Sequence, residues 1–78
     1  MTVQELNALF GKNVRYYRKK KGWRQMRLAE ELGARSSLIS DYECGRRLPH
    51  YKQLVLLGYL LDVDIYMFFM EEKTKTYD

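Results

Sequence analysis

Short polar side chains occupy one face of a predicted helix near the middle of the chain. In residues 36–43, helical spacing puts Ile39 and Tyr42 on one side. Four hydrogen-bonding residues remain on the exposed side: Ser36, Ser37, Ser40 and Asp41. A serine hydroxyl donates or accepts, and a carboxylate accepts from the amino group of cytosine. Such a face could read base edges in a DNA groove.

Two short helices joined by a tight turn are needed to present this face. Residues 25–32 form the first helix, with three apolar residues on one side: Leu28, Ala29 and Leu32. Gly33 can end that helix in a left-handed conformation, and Gly45 closes the second helix. So short a turn makes the helices cross steeply and leaves the outer face of the second one exposed. Residues 25–45 therefore predict a helix-turn-helix.

The segment around this motif resembles the Cro/repressor-type (Xre-like) helix-turn-helix family, over about residues 10–69. The matching positions are Gly22, Gln25, Leu28, Ala29, Leu32, Gly33, Ile39, Ser40, Glu43, Gly45 and Pro49. Members of this family are five-helix DNA-binding domains, usually dimeric and usually transcriptional repressors. The resemblance implies an all-α, compact five-helix repressor-like fold. The length of 78 residues is that of one small domain, so residues 1–78 are expected to form a single domain.

The resemblance also implies which residues read bases. Family members contact base edges from the positions held by Ser36, Ser37 and Asp41, with Ser40 nearby. Two interpretations of Asp41 remain open, because an acid in the groove is repelled by phosphates: it reads or shapes the DNA contact, or it is a solvated surface acid. Leu38 also has two possible interpretations: contact with a thymine methyl group, or packing against a neighbouring side chain.

Four residues are predicted to contact the DNA phosphates: Gln25, Arg35, Arg46 and Arg47. The resemblance places Gln25, at the start of the second helix, beside the DNA backbone, where helix N-terminal amides also favour anions. Arg35 precedes the reading helix, and Arg46 and Arg47 follow it, as expected of residues that position a groove contact. The alternative is that these arginines are charges on a solvated face.

Two arginines stand where the family usually has a small polar helix cap. Arg24 precedes the second helix and Arg35 precedes the third. Each lost cap costs about 1 kcal/mol. We hypothesise that the chain exchanges this stability for extra positive charge near phosphates.

Arg18 and Glu43 are predicted to form a structural ion pair. The family commonly joins these positions, which ties the first helix to the end of the reading helix. Breaking a buried pair leaves an uncompensated charge. We therefore expect Glu43 to have an architectural role and not a catalytic one.

Charge is distributed unevenly along the chain, whose net charge is +4. Residues 1–52 hold twelve Lys and Arg and five Asp and Glu, a net charge of +7, while residues 53–78 have a net charge of −3. The basic part coincides with the proposed reader, where cations can displace phosphate counterions. The acidic part should face away from DNA or toward another partner.

The composition offers little material for catalysis, metal binding or membrane insertion. The single cysteine, Cys44, reads as an ordinary half-buried thiol in a cytoplasmic protein, with a redox switch as the less favoured alternative. His50 is the only histidine, so no metal, no cofactor and no enzyme activity are expected. No apolar run approaches the ~20 residues that a membrane span needs.

Three more helices are predicted around the motif. The first runs from about Val3 to Lys21, where Gly11 could mark a bend. The fourth covers residues 51–61, in which Gly58 should serve a close helix contact. A short fifth helix covers residues 65–72, capped by Asp62 or Asp64. Residues 73–78 should form an irregular polar tail.

Apolar residues exceed what a core needs in residues 51–71, so this segment is predicted to contact a dimer mate or another partner. The predicted interface residues are Leu56, Tyr59, Tyr66, Met67 and Met70. The alternative is a single larger core with no exposed patch.

The function that best fits these features is sequence-specific binding of double-stranded DNA by a homodimeric repressor on a palindromic operator. A restriction-modification controller, activating or repressing, is the close alternative. An antitoxin-type protein-interaction module and a nonspecific nucleic-acid-binding protein are further alternatives.

Overall fold

The computed structural model describes residues 1–71, in which every regular element is a helix and no strand occurs. In chain order the helices are α1 (Val3–Lys20), α2 (Gln25–Leu32), α3 (Ser36–Glu43), α4 (Tyr51–Leu61) and a 3₁₀ helix (Ile65–Phe69). The all-α prediction is confirmed, with one correction. The fifth element is a single 3₁₀ helix instead of an α-helix, and residues 72–78, with the predicted tail, lie outside the described part.

The start of α1 is fixed by its own side chains. Thr2 accepts from the backbone N–H of Glu5 at 3.0 Å, and the Glu5 carboxylate accepts from the backbone N–H of Thr2 at 2.7 Å. This reciprocal arrangement satisfies two amides that an uncapped helix would leave without partners. The helix continues unbroken through Gly11, so the bend expected there is absent from α1.

Gly11 instead allows two helices to approach closely. A Cβ atom at this position would clash with the backbone carbonyl oxygens of Tyr42 and Glu43 at the end of α3. The absence of a side chain therefore determines how near α3 lies to α1.

The core lies between α1 and the other helices. Six side chains are fully buried: Phe10, Val14, Leu28, Ile39, Leu57 and Phe68. The Phe10 ring stacks on Phe69 and meets Phe68 edge to face, both with centroids 5.5 Å apart. Aromatic pairs of this kind add to the stability that comes from area burial alone. Phe10 thus joins α1 to the 3₁₀ helix.

A tight connection follows α4. Asp62 ends the helix in the left-handed conformation, and Val63 donates its N–H to the Gly58 carbonyl at 3.0 Å. A Cβ on Gly58 would lie 2.9 Å from the carbonyl oxygen of Val63. The predicted need for a glycine is confirmed: the closest atom belongs to the chain just after α4, and side-chain atoms of Ile65 and Phe68 in the 3₁₀ helix follow at 3.6 Å and 3.9 Å.

The predicted cap of the last helix is not formed by a side chain. Asp64 precedes the 3₁₀ helix without a side-chain cap hydrogen bond, and Asp62 pairs with Lys21 at 2.9 Å. What holds this segment is Asn13 of α1, whose Nδ2 donates to the carbonyls of Phe68 at 2.7 Å and Met70 at 3.0 Å. Asn13 is not among the residues for which the sequence predicted a role. Its position on the buried stripe of α1, between Phe10 and Val14, is the signal that could have found it.

Of the helices in residues 1–71, none combines the length and the apolar character required to cross a membrane.

Candidate nucleic-acid interface

The outer face of α3 is polar and open to solvent. Ile39 and Tyr42 are buried against the core, and the predicted base-reading residues lie on the other side of the helix. Ser36 and Ser37 are exposed, while Ser40 and Asp41 are partly exposed. The structure thus brings the four side chains together on one accessible surface.

A three-residue turn sets the angle of α3. Gly33 adopts a left-handed φ of 73°, and the N–H of Ala34 bonds back to the carbonyl of Ala29 at 2.9 Å. This closes α2 and directs the chain into α3. Leu38, in the first turn of α3, is partly buried against the core. Leu38 thus packs as one of its two interpretations predicts, while contact with a thymine methyl group stays a prediction.

Arginines precede both helices of the motif, as the sequence predicted. Arg24 and Arg35 occupy the N-cap positions of α2 and α3, both are exposed, and neither side chain makes a capping hydrogen bond. The first amides of each helix therefore have no side-chain acceptor from the cap residue. An anion placed there would meet N–H donors and a guanidinium together.

Gln25 is partly buried at the start of α2. Its Nε2 donates to Oε1 of Glu43 at 3.0 Å, which fixes the side-chain amide against α3. A carboxamide nitrogen carries two N–H groups, so the second N–H of Gln25 could donate to a phosphate. Contact of Gln25 with a phosphate stays a prediction.

The predicted ion pair between Arg18 and Glu43 is present and nearly buried. Nε of Arg18 lies 2.6 Å from Oε2 of Glu43, and Nη2 lies 3.0 Å from Oε1. Nη1 of Arg18 also donates to the backbone carbonyl of Trp23 at 2.6 Å. Together with Gln25, this network connects α1, the turn before α2, α2 itself and the end of α3.

Arg46 and Asp41, for which the sequence predicted two separate DNA contacts, are paired with each other. Nη1 of Arg46 lies 3.2 Å from Oδ1 of Asp41, and the backbone N–H of Arg46 bonds to the Asp41 carbonyl at 2.9 Å. Arg47 is exposed and close enough to Tyr42 for its charge to act on the phenol. Burial raises the pKa of Tyr42, while a hydrogen bond with Gln53 and the positive charge of Arg47 act in the opposite direction.

Cys44 is exposed, which corrects the expectation of a half-buried thiol. It follows the last residue of α3, where the chain leaves the core toward Gly45. Within residues 1–71, no three His, Cys, Asp or Glu side chains are grouped as a metal site would require.

Apolar side chains are exposed on α4 and in and just after the 3₁₀ helix. The exposed fractions are 36% for Leu56, 79% for Tyr59, 62% for Tyr66 and 44% for Met70. Met67 differs from the prediction, because it is partly buried and packs against the core. It cannot be counted as surplus apolar surface. We name the four exposed residues, Leu56, Tyr59, Tyr66 and Met70, the apolar end.

Comparison with known proteins agrees with this architecture. Residues 9–65 match the family model described as a helix-turn-helix domain, and the chain belongs to that family. Over 57 residues, 73% of the chain, it is 35% identical to an uncharacterized HTH-type transcriptional regulator, YqaE, of Bacillus subtilis (strain 168). The chain spans about half of that relative, 49% of its length.

The fold is also similar to a solved structure. The solution structure of the SOS-response transcriptional repressor LexA from Eubacterium rectale matches with a TM-score of 0.83. The match covers 100% of this chain and 83% of the other, at 17% sequence identity. This likeness concerns the fold alone.

Proposed function

We propose that the chain binds double-stranded DNA sequence-specifically and regulates transcription, as a homodimeric repressor on a palindromic operator in the cytoplasm. The observation that carries this proposal is the open polar face of α3, which has exposed arginines at both ends. The relative from Bacillus subtilis is named a transcriptional regulator and the LexA protein a transcriptional repressor, which supports the same assignment.

The proposed contact places α3 in the major groove. That groove is wide enough for an α-helix and presents a distinct pattern of donors and acceptors for each base pair. Ser36, Ser37, Ser40 and Asp41 would face the base edges. Arg35 at one end of α3 and Arg47 beyond the other would contact phosphates and fix the register. A protein seated over a promoter in this way represses by occlusion.

The apolar end is the proposed dimer surface. Its four exposed apolar residues are among those that the sequence predicted as an interface, and they belong to the acidic part of the chain, which DNA would repel. Two-fold dimers are the commonest oligomers, and they place two reading helices about 34 Å apart, which is one turn of DNA.

The test of DNA binding is selection from a randomised duplex library with the purified chain, at about 0.15 M salt so that nonspecific attraction is damped. Enrichment of a palindrome with half-sites one turn apart supports the full proposal. Enrichment of a single half-site supports sequence-specific binding but overturns the proposal that the chain binds DNA as a dimer. A library that stays random overturns the proposal.

The dimer surface has its own test in sedimentation. A double variant, Leu56→Lys with Tyr59→Glu, should be monomeric at concentrations where the wild-type chain is a dimer. Val3→Lys is the matched control, because Val3 is an exposed apolar residue outside the apolar end. A double variant that remains dimeric would refute this interface.

One alternative is favoured by the same apolar end. An antitoxin-type module would use these residues to bind a foreign chain, and its complex would form in the absence of DNA. A dimer that selects no DNA but binds a native partner through Leu56 and Tyr59 would favour that function over the operator-binding one.

A further inference from the structure

Arg46 is attached to the last turn of α3 at two points. Gly45, with φ of 76°, reverses the chain after the helix, and the backbone N–H of Arg46 then bonds to the carbonyl of Asp41 at 2.9 Å. The Arg46 side chain turns back in the same direction and puts Nη1 3.2 Å from Oδ1 of Asp41. The backbone turn and the ion pair together hold the guanidinium beside α3.

The pair is located on the polar face and not behind it. Asp41 follows Ser37 by four residues, so the two share one side of α3, opposite Ile39 and Tyr42. The side chains of Asp41 and Arg46 are 36% and 63% exposed. A molecule that reaches the serines of α3 therefore reaches this pair as well.

The N–H groups that Arg46 has available in this pair match the acceptors of guanine. A guanidinium has five N–H groups in a rigid plane, and the contact through Nη1 leaves one two-donor edge available. Two parallel N–H groups fit O6 and N7 of guanine, the commonest specific contact in the major groove. Asp41 by itself would be repelled by phosphates, whereas Asp41 paired with Arg46 carries no net charge to the groove.

We propose that Arg46 reads a guanine through two hydrogen bonds and that Asp41 is the positioning residue that aims its guanidinium. This assignment exchanges the roles predicted from the sequence, in which Asp41 contacted bases and Arg46 contacted phosphates. It rests on the proposed function, since it assumes that α3 enters the major groove of a specific site.

The experiment is library selection followed by affinity measurements on single-base variants of the selected site. The proteins compared are the wild-type chain, Arg46→Ala, Arg46→Lys and Asp41→Asn, with Arg47→Ala as the matched control. Arg46 and Arg47 are neighbouring exposed arginines, so they differ mainly in the partner of the guanidinium. Thermal melting of each variant checks that it is folded.

Arg46→Ala should reduce the preference for one guanine by roughly 5- to 100-fold and leave the other positions of the site selective. Arg46→Lys should lose much of the same preference, because an ammonium group lacks the two-donor edge. Asp41→Asn should weaken the preference at that same guanine and leave the salt dependence unchanged or steeper. Arg47→Ala should weaken binding to all sequences equally and reduce the salt slope by about 1.

Three results would overturn the assignment. If Arg46→Ala behaves like Arg47→Ala, Arg46 is a phosphate contact. If Asp41→Asn changes the preference at a cytosine that Arg46→Ala leaves intact, Asp41 reads that base itself. If the wild-type chain selects no sequence, the proposed function fails and this assignment fails with it. In the first two results, by contrast, the wild-type chain still selects a site, so only the assignment fails.

Discussion

The guanidinium of Arg18 and the carboxylate of Glu43 meet through two hydrogen bonds, 2.6 Å and 3.0 Å long, with only 8% and 4% of their side chains exposed. The same carboxylate accepts from Gln25, and the same guanidinium donates to the carbonyl of Trp23. One ion pair therefore connects three helices and the turn between two of them. The orientation of α3 depends on this connection.

Glu43→Ala should lower the free energy of unfolding by about 3–5 kcal/mol, because Arg18 would remain as a buried charge without its partner. Urea unfolding measures the loss. Replacing both residues, Arg18→Met with Glu43→Leu, should recover much of it, since no lone charge remains. Arg27→Ala is the control, as Arg27 and Glu31 form an exposed pair worth about 0.3–0.5 kcal/mol. A small loss in Glu43→Ala, like that of the control, would contradict the architectural role.

Asn13→Ala should loosen the chain after α4. The carbonyls of Phe68 and Met70 would lose their donor, which costs about 1–3 kcal/mol for a buried acceptor. Hydrogen exchange of the amides in residues 65–70 should become faster than in the wild-type chain. Gln4→Ala, an exposed change in the same helix, should leave that exchange unaltered. Unaltered exchange in Asn13→Ala as well would show that Phe10 packing alone holds the segment.

Arg35→Ser should raise stability and weaken DNA binding at the same time. A serine at the N-cap of α3 supplies the missing acceptor and adds about 1 kcal/mol to the free energy of unfolding. Loss of one phosphate contact should reduce the salt slope of DNA affinity by about 1. Arg24→Ser makes the same change at α2 and serves as the comparison for stability. Binding that is unchanged in Arg35→Ser would remove Arg35 from the interface.

The stability of the domain should fall at alkaline pH in a way that depends on Tyr42. Burial raises the pKa of Tyr42 in the folded chain, whereas the unfolded chain releases this proton at pH ~10. The stabilising contribution is therefore complete below pH ~10 and is lost as the pH rises through the folded pKa. Tyr42→Phe should reduce this decline in urea unfolding between pH 9 and 11. Tyr59→Phe, at an exposed tyrosine, should not reduce it.

Local patterns predicted the helices well where each helix carries its own signals. The sequence placed α4 at residues 51–61, as observed, because its leucines repeat at helical spacing and Pro49 precedes it. α1 was predicted one residue longer than it is. The pairing of Arg18 with Glu43 came from the family resemblance, since no local pattern joins residues 25 positions apart.

The 3₁₀ helix shows why the other features of the fold and of the site could not be predicted from the sequence. A 3₁₀ helix has three residues per turn, which aligns Ile65 with Phe68, and both point toward Gly58. That choice depends on Phe10 and Asn13, which are distant in the sequence, and it also turns Met67 toward the core. The pairing of Asp41 with Arg46 depends likewise on the turn at Gly45. Helical spacing contains no information on either.

Gly11 and Asn13 lie two residues apart on α1, one against the end of α3 and the other holding the 3₁₀ helix. An α-helix keeps a fixed length, so α1 holds the end of α3 and the 3₁₀ helix at a constant distance from each other. In a dimer joined through the apolar end, the distance between the two α3 helices would therefore be fixed. An operator with one extra central base pair would turn a half-site by about 35° away from the α3 helix that reads it.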